Sequence, residues 1–163
     1  MAEIFNGVSD EDGCPDEGGK PLMVIDPKDP RLGIKFATPI KFIGTAEAPL
    51  VDPRSMTTLR ALAQELNRHR DWTLAVGAKP DAKEPPADAL KNALAKAVLL
   101  VHAATELTHR DGAAEAVGWD AVRKQPGAEA SGVGFLVMVA PPQPAAEPLT
   151  AKPAATPTTA PKK

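Results

Sequence analysis

The feature that most constrains the fold is a change of hydrophobic period within residues 31–139. Apolar residues from Leu59 to Leu66 recur at the three- and four-residue spacing of a helix. Directly after them, from Trp72 to Val76, apolar side chains alternate with smaller or polar ones, as they do in a half-buried strand. A chain that switches between these periods packs helices against a sheet, so we predict an α/β domain.

Two helices are predicted from capping signals and spacing. Asp52-Pro53 provides an N-cap acceptor followed by a proline at the first helical position, which places the first helix near 53–69. A second, longer helix is predicted near 87–107, where apolar residues again repeat at intervals of three and four.

Strands are predicted around these helices. One broken strand or a strand pair is expected on either side of Thr38-Pro39, a short strand near 114–119, and a closing strand in the β-branched run 133–139. The order β-α-β-α-β-β predicts a two-layer α/β sandwich with both helices on one face of a mixed sheet. We expect a single core in which Leu59, Leu62, Leu66, Leu90, Leu94, Val98 and Val101 pack on Phe42, Trp72, Leu74, Val76, Phe135 and Val137.

Two flanking segments differ from this domain in composition. The first 20 residues hold six Asp and Glu against one Lys, which indicates an acidic leader. The last 24 residues hold seven Pro, seven Ala and four Thr, a composition that cannot bury a core. We therefore predict a leader over 1–30, a folded domain over 31–139 and a disordered tail over 140–163.

Charge and missing motifs exclude several classes of function. With 19 Lys and Arg against 21 Asp and Glu, the chain has no basic excess for binding nucleic acid. No run of 18 apolar residues predicts a transmembrane segment, and the first residues lack the basic and apolar regions of a signal peptide. The single Cys14 cannot close an internal disulfide. Because none of the common hydrolase, nucleotide or redox motifs occurs, we expect no enzyme.

Several stretches, taken in order, resemble a known family. The segments 40–66, 71–77, 89–98 and 133–139 are similar to the strands and helices of the C-terminal OmpA-like domain, and the resemblance covers about residues 34–139. It implies a non-catalytic binding module of a cell envelope, in the periplasm or at the outer membrane. Its implied partner is the peptidoglycan stem peptide or an envelope protein.

The ligand positions of that family are altered in this chain. The family holds diaminopimelate with an Asp just after the second strand and an Arg on the second helix, a pairing suited to a ligand that bears both charges. Here Ala78-Lys79-Pro80 replaces His-Thr-Asp, Leu94 stands at the Arg position, and Ala87 replaces an Asn ahead of the helix. The resemblance therefore implies an eroded ligand site.

Three charged residues are candidates for replacing the lost pair. Asp81 comes one residue late for the acid, and Lys91 or Lys96 could supply the cation, although Lys lacks the guanidinium fork. The alternative is that all three are solvated surface charges. A domain that has lost its glycan ligand would instead serve as a protein-protein assembly module, for example as a homodimer.

A second resemblance lies in the acidic leader. Residues 6–16 resemble the end of a thrombospondin type 3 calcium repeat, which implies Asn6, Asp10 and Asp12 as calcium ligands. Closely spaced oxygen ligands with a turn glycine suit this hard cation. The alternative is a solvated acidic segment, and no other cofactor is expected.

Two further motifs are given structural interpretations. His102, Glu106 and His109 share one face of a helix, as a metal site requires, but no ligand from another element accompanies them, so we predict a solvated polar face. Gly132-Val133-Gly134 precedes a strand instead of following one, which predicts a turn and not a dinucleotide loop.

Overall fold

The computed structural model describes residues 21–26 and 28–141. The predicted calcium ligands Asn6, Asp10 and Asp12 lie outside the described residues, as does the predicted tail beyond residue 141.

The predicted helices and strands are present with small shifts at their ends. Short 3-10 turns at Pro30–Leu32 and Pro53–Ser55 accompany the longer elements, and the side chain of Asp52 caps the second turn by accepting the amide of Arg54 at 2.9 Å. Within the described residues the elements are β1 (Met23–Val24), β2 (Lys35–Phe36), β3 (Phe42–Gly44), β4 (Pro49–Val51), α1 (Met56–Arg68), β5 (Trp72–Ala78), α2 (Pro86–Thr108), β6 (Ala114–Ala116), α3 (Trp119–Val122), α4 (Ala128–Ser131) and β7 (Val133–Val139).

A three-stranded mixed sheet with the order β6-β5-β7 organises the domain. β7 runs antiparallel along the whole of β5, from the pair Trp72 and Val139 to the pair Ala78 and Val133. β6 lies parallel to β5 on its other side, which requires a crossover, and α2 supplies it. The central strand β5 (Trp72–Ala78) contains the residues from Trp72 to Val76 whose alternation predicted a strand.

One face of this sheet carries the main core. Side chains at alternate positions of β5 and β7 share one buried cluster with residues of α1 and α2. This confirms the predicted two-layer α/β sandwich with α1 and α2 on one face. The buried residues of this core include Leu59, Leu62, Leu66, Trp72, Leu74, Val76, Ala93, Leu100, Ala104, Phe135 and Val137. Met23 of β1 packs in the same core, ahead of residue 31.

The opposite face of the sheet is covered at one point by α3. Gly77 and Gly134 lie opposite each other on neighbouring strands, and fully buried Val122 sits over both. A Cβ atom at Gly134 would lie 2.6 Å from three atoms of Val122, so only glycine allows α3 to approach this closely. The helices α3 and α4 occupy a region predicted only as loop or turn, and Gly132 ends α4 in the left-handed conformation expected of that turn.

The sequence prediction was wrong about the face that α2 buries. Leu90, Leu94 and Val98 are 63%, 55% and 50% exposed, although we expected them in the core. The helix instead turns a row of small residues to the sheet, namely Ala89, Ala93, Ala97 and Ala104, together with Leu100. Small side chains let a helix backbone approach the sheet closely, and here that contact prevails over burial of larger residues.

The prediction that Phe42 belongs to the sheet was also wrong. Thr38-Pro39 breaks the predicted first strand, as expected, but the two parts join separate two-stranded ribbons. Phe42 pairs with Val51 in the β3–β4 hairpin and packs against the core from there. The central sheet therefore lacks the first strand of the predicted order.

The end of α1 is fixed by a cation from another part of the chain. The guanidinium of Arg110 donates hydrogen bonds to the backbone oxygens of Leu66, Arg70 (3.1 Å) and Trp72 (3.0 Å). Carbonyl groups at a helix C-terminus lack partners within the helix, and a cation also interacts favourably with the helix dipole there. Arg110 thus joins the end of α2 to the loop between α1 and β5.

Candidate functional site

A polar cleft lies between the turn of the β3–β4 hairpin and the start of α2. Its volume is about 490 Å³. The residues that line it are Ala46, Glu47, Glu84, Pro85, Asp88, Lys91, Asn92 and Ala95.

Local sequence explains both walls of the cleft. Gly44 has a φ of +89°, and a Cβ atom there would lie 2.6 Å from the carbonyl oxygen of Ala48, so the hairpin turn depends on glycine. The amide of Ala48 donates to Thr45 Oγ1 at 3.1 Å within the same turn. On the other wall, Pro86 occupies the first position of α2, where the missing amide hydrogen is not needed.

The cleft contains both signs of charge, with acids in excess. Glu47, Glu84 and Asp88 contribute three carboxylates against the single ammonium of Lys91. Asn92 Nδ2 donates to Glu84 Oε2 at 2.8 Å, which holds that carboxylate at the helix end of the cleft. A site with this composition suits a ligand that carries ammonium groups and also a carboxylate.

The structure brings only one of the three predicted residues to this cleft. Lys91 lines it, whereas Asp81 is exposed and its carboxylate accepts the amide of Lys83 at 2.9 Å within a turn. The ammonium of Lys96 lies 5.9 Å from the ring centre of Phe42, a cation-π contact. Asp81 and Lys96 are not among the residues that line the cleft.

The positions where the resembled family carries its ligand groups do not line the cleft either. Leu94 and Ala87 are exposed, and Pro80 is partly buried. Lys79 is paired with Glu129 of α4 at 2.6 Å, and its amide donates to the carbonyl of Gly132, so this loop is anchored towards α4.

Sequence reasoning missed Glu47, Glu84, Asp88 and Asn92. A usable signal was present for three of the lining residues, because Glu84, Asp88 and Lys91 follow one another at intervals of four and three across the start of a predicted helix. Glu47 could not have been found, because its position depends on the pairing of β3 with β4.

The His102 motif keeps the geometry of an isolated surface pair. His102 Nε2 lies 3.1 Å from Glu106 Oε1 and both side chains are exposed, while His109 ends α2 in the left-handed conformation with a φ of 51°. In the part of the chain that the structure describes, no cluster of three or more His, Cys, Asp or Glu is placed to hold a metal ion. Nor does any helix of the described ranges have the length and apolar character needed to cross a membrane.

Comparisons with known proteins give likeness to solved structures. No protein-family model and no curated protein matches the chain. Among solved structures, the fold is similar to the crystal structure of the peptidoglycan-associated lipoprotein from Burkholderia pseudomallei, with 17% identity and a TM-score of 0.48. The match covers 63% of this chain and 92% of that one. Values this low assign the chain to no family.

Proposed function

We propose that this protein is a non-catalytic binding module of a cell envelope that associates with peptidoglycan through the cleft between the β3–β4 turn and α2. The observation that carries the proposal is the presence of Glu47, Glu84, Asp88 and Lys91 in one solvent-accessible cleft. The ligand would be the diaminopimelate residue of a stem peptide, which bears an ammonium and a carboxylate at its free end. The sequence resemblance to OmpA-like domains supports the same choice of ligand.

Each charge of such a ligand has a counterpart in the cleft. The carboxylates would hold the ammonium group, and Glu84 is already oriented by Asn92 at 2.8 Å. Lys91 would hold the ligand carboxylate as a point charge, without the two parallel hydrogen bonds of an arginine. Binding is therefore expected to be weaker than in a cleft with an arginine at this place.

Co-sedimentation with purified diaminopimelate-type sacculi tests this proposal. Wild type should be retained weakly, Lys91→Ala and Glu84→Gln should each reduce retention, and Lys91→Arg should increase it. Lys124→Ala is the matched control, since it removes one exposed Lys that is not among the cleft residues. Retention that is unchanged in Lys91→Ala and Glu84→Gln would place the ligand elsewhere.

A gain-of-function variant addresses the eroded positions directly. Pro80→Asp combined with Leu94→Arg restores the acid and the cation of the resembled family. Because Leu94 is 55% exposed, the arginine can be accommodated without disturbing the core. The double variant should be retained more strongly than wild type, provided its circular dichroism spectrum is unchanged.

A second candidate function, protein-protein assembly, is favoured by a separate observation. Leu90, Leu94 and Val98 repeat every four residues on α2 and are half or more exposed, which forms an apolar stripe along the helix. Light scattering after size exclusion would detect a homodimer formed through this stripe. Leu94→Glu should then convert the dimer to a monomer, and a wild-type protein that is monomeric at high concentration would contradict homodimer assembly.

A further inference from the structure

A second, smaller pocket lies at the base of the β3–β4 hairpin, at the other end from the turn that borders the acidic cleft. Its volume is about 160 Å³, enough for one small group but not for a peptide. The amide of Asp52 donates to the carbonyl of Lys41 at 2.9 Å, which closes the base of the hairpin and sets the residues on either side next to each other. The pocket is lined by Thr38, Pro39, Lys41, Asp52, Arg54, Ser55 and Thr58.

Two residues of this pocket are largely buried and carry hydroxyl groups whose hydrogen-bonding capacity is not fully used. Ser55 and Thr58 are only 6% and 4% exposed. Ser55 Oγ accepts the amide of Lys41 at 3.0 Å, but among the described residues its own hydrogen has no acceptor, and the Thr58 hydroxyl has no partner of either kind. Among the described residues the fully enclosed side-chain oxygens without a partner are Asn67 Oδ1 and Gln125 Oε1, so the Thr58 hydroxyl opens into the pocket. Together with the Ser55 hydroxyl it can donate to a ligand with acceptor atoms.

The charged side chains of the pocket favour an anion. Lys41 and Arg54 are exposed, and neither forms an ion pair with another described residue. The single carboxylate, Asp52, is engaged through Oδ1 with the amide of Arg54 at 2.9 Å. Two cations against one such acid leave a net charge of +1.

Recognition in this pocket rests on side chains, not on the helix end. The amide of Arg54 is bound to Asp52 Oδ1, that of Ser55 to the carbonyl of Asp52 at 2.8 Å, and that of Met56 to the carbonyl of Pro53. The first amides are thus already satisfied within the turn. The free donors are the two hydroxyls, the ammonium of Lys41 and the guanidinium of Arg54.

We propose that this pocket binds a phosphate group. A tetrahedral oxyanion accepts hydrogen bonds on several sides at once, which matches two hydroxyl donors on the buried side and two cations at the rim. The arginine contributes the planar fork that suits phosphate. The site differs in place and in charge from the acidic cleft, so it stands independently of peptidoglycan binding.

Titration of the ¹⁵N-labelled full chain with sodium phosphate, at ionic strength held constant with chloride, tests the proposal. Saturable shifts are expected at the amides of Ser55 and Thr58. Lys41→Ala combined with Arg54→Ala should weaken the affinity about tenfold or more, since each removes a charged hydrogen bond. Thr58→Val, which keeps shape but removes the hydroxyl, should weaken it several-fold. Arg60→Ala is the control, because it removes an exposed arginine of the same helix that is not in the pocket.

The possible results of these titrations either overturn or support phosphate binding in this pocket. Absence of saturable shifts at Ser55 and Thr58, or wild-type affinity in both the double variant and Thr58→Val, would overturn the proposal. Parallel titration with glycerol 1-phosphate distinguishes the source of the phosphate group. An affinity comparable to that for inorganic phosphate points to a phosphate ester, and a much weaker affinity points to free phosphate. Both results support the pocket.

Discussion

Replacing Gly134 by alanine should destabilise the domain strongly, because the new methyl group has no space. A Cβ atom there would lie 2.6 Å from Val122 Cβ, Cγ2 and backbone oxygen, and the last of these cannot move without moving α3. Carbon atoms in contact need about 3.5 to 4.0 Å, so α3 must shift by about 1 Å. Overpacking of this kind costs ~1 to 3 kcal/mol, and partial loss of Val122 burial adds to it. We expect a loss of about 3 kcal/mol.

Thermal unfolding followed by circular dichroism measures this loss. For a domain of this size each kcal/mol lowers the melting temperature by about 4 °C, so the expected decrease is about 12 °C. Gly118→Ala is the matched control, because a Cβ atom at Gly118 meets nothing within 4 Å and its φ of −64° suits alanine. It should change stability by less than about 1 kcal/mol, because the lower entropy of the unfolded chain offsets the weaker preference of alanine for the N-cap position of α3. Equal melting temperatures for Gly134→Ala and Gly118→Ala would refute the packing of Val122 against β5 and β7.

Three further changes test other parts of the fold. Arg110→Ala should cost about 2 kcal/mol in urea unfolding through loss of charged hydrogen bonds to three carbonyls, and Arg110→Lys should restore less than half of it. Leu62→Ala, in the core, should lower the free energy of unfolding by ~2 to 5 kcal/mol, whereas Leu90→Ala, on the surface, should change it by less than about 0.5 kcal/mol. Similar values for the two variants would contradict the exposure of the Leu90 face of α2. Deletion of residues 142–163 should leave the melting temperature unchanged, because the bond from the Ala140 amide to the Asp71 carbonyl is kept; protection of tail amides from hydrogen exchange would oppose this.

Local patterns predicted the order of the main elements well. The proline that opens the 3-10 turn ahead of α1, the alternation in β5 and the β-branched run of β7 are signals that act within a few residues, so they can be identified from one sequence. The parallel crossover from β5 to β6 followed from the same order.

The orientation of α2 could not be predicted in this way. Its sequence has leucine and valine on one side and alanine on another, and hydrophobicity alone favours burial of the larger residues. Which side faces the sheet depends on how closely the helix can approach β5 and β6, a tertiary property that the pattern does not encode. The same limit applies to Phe42, whose partner Val51 became apparent only from the hairpin register.

The candidate site was predicted only in part for a related reason. Lys91 was identified as a cation, but the acid was sought directly after β5, at Asp81, where the resembled family has it. In the structure two acids line the cleft on this side, namely Glu84 just before α2 and Asp88 in its first turn. The first of them, Glu84, comes three residues after Asp81. Glu47 joins them through the fold of the hairpin.

The most direct test of the proposed function is titration of the labelled protein with a soluble diaminopimelate-containing muropeptide. We predict weak, saturable shifts at the amides of Glu47, Asp88, Lys91 and Asn92, and loss of these shifts in Lys91→Ala. Absence of saturable shifts, or shifts confined to the apolar stripe of Leu90, Leu94 and Val98, would contradict peptidoglycan association through this cleft.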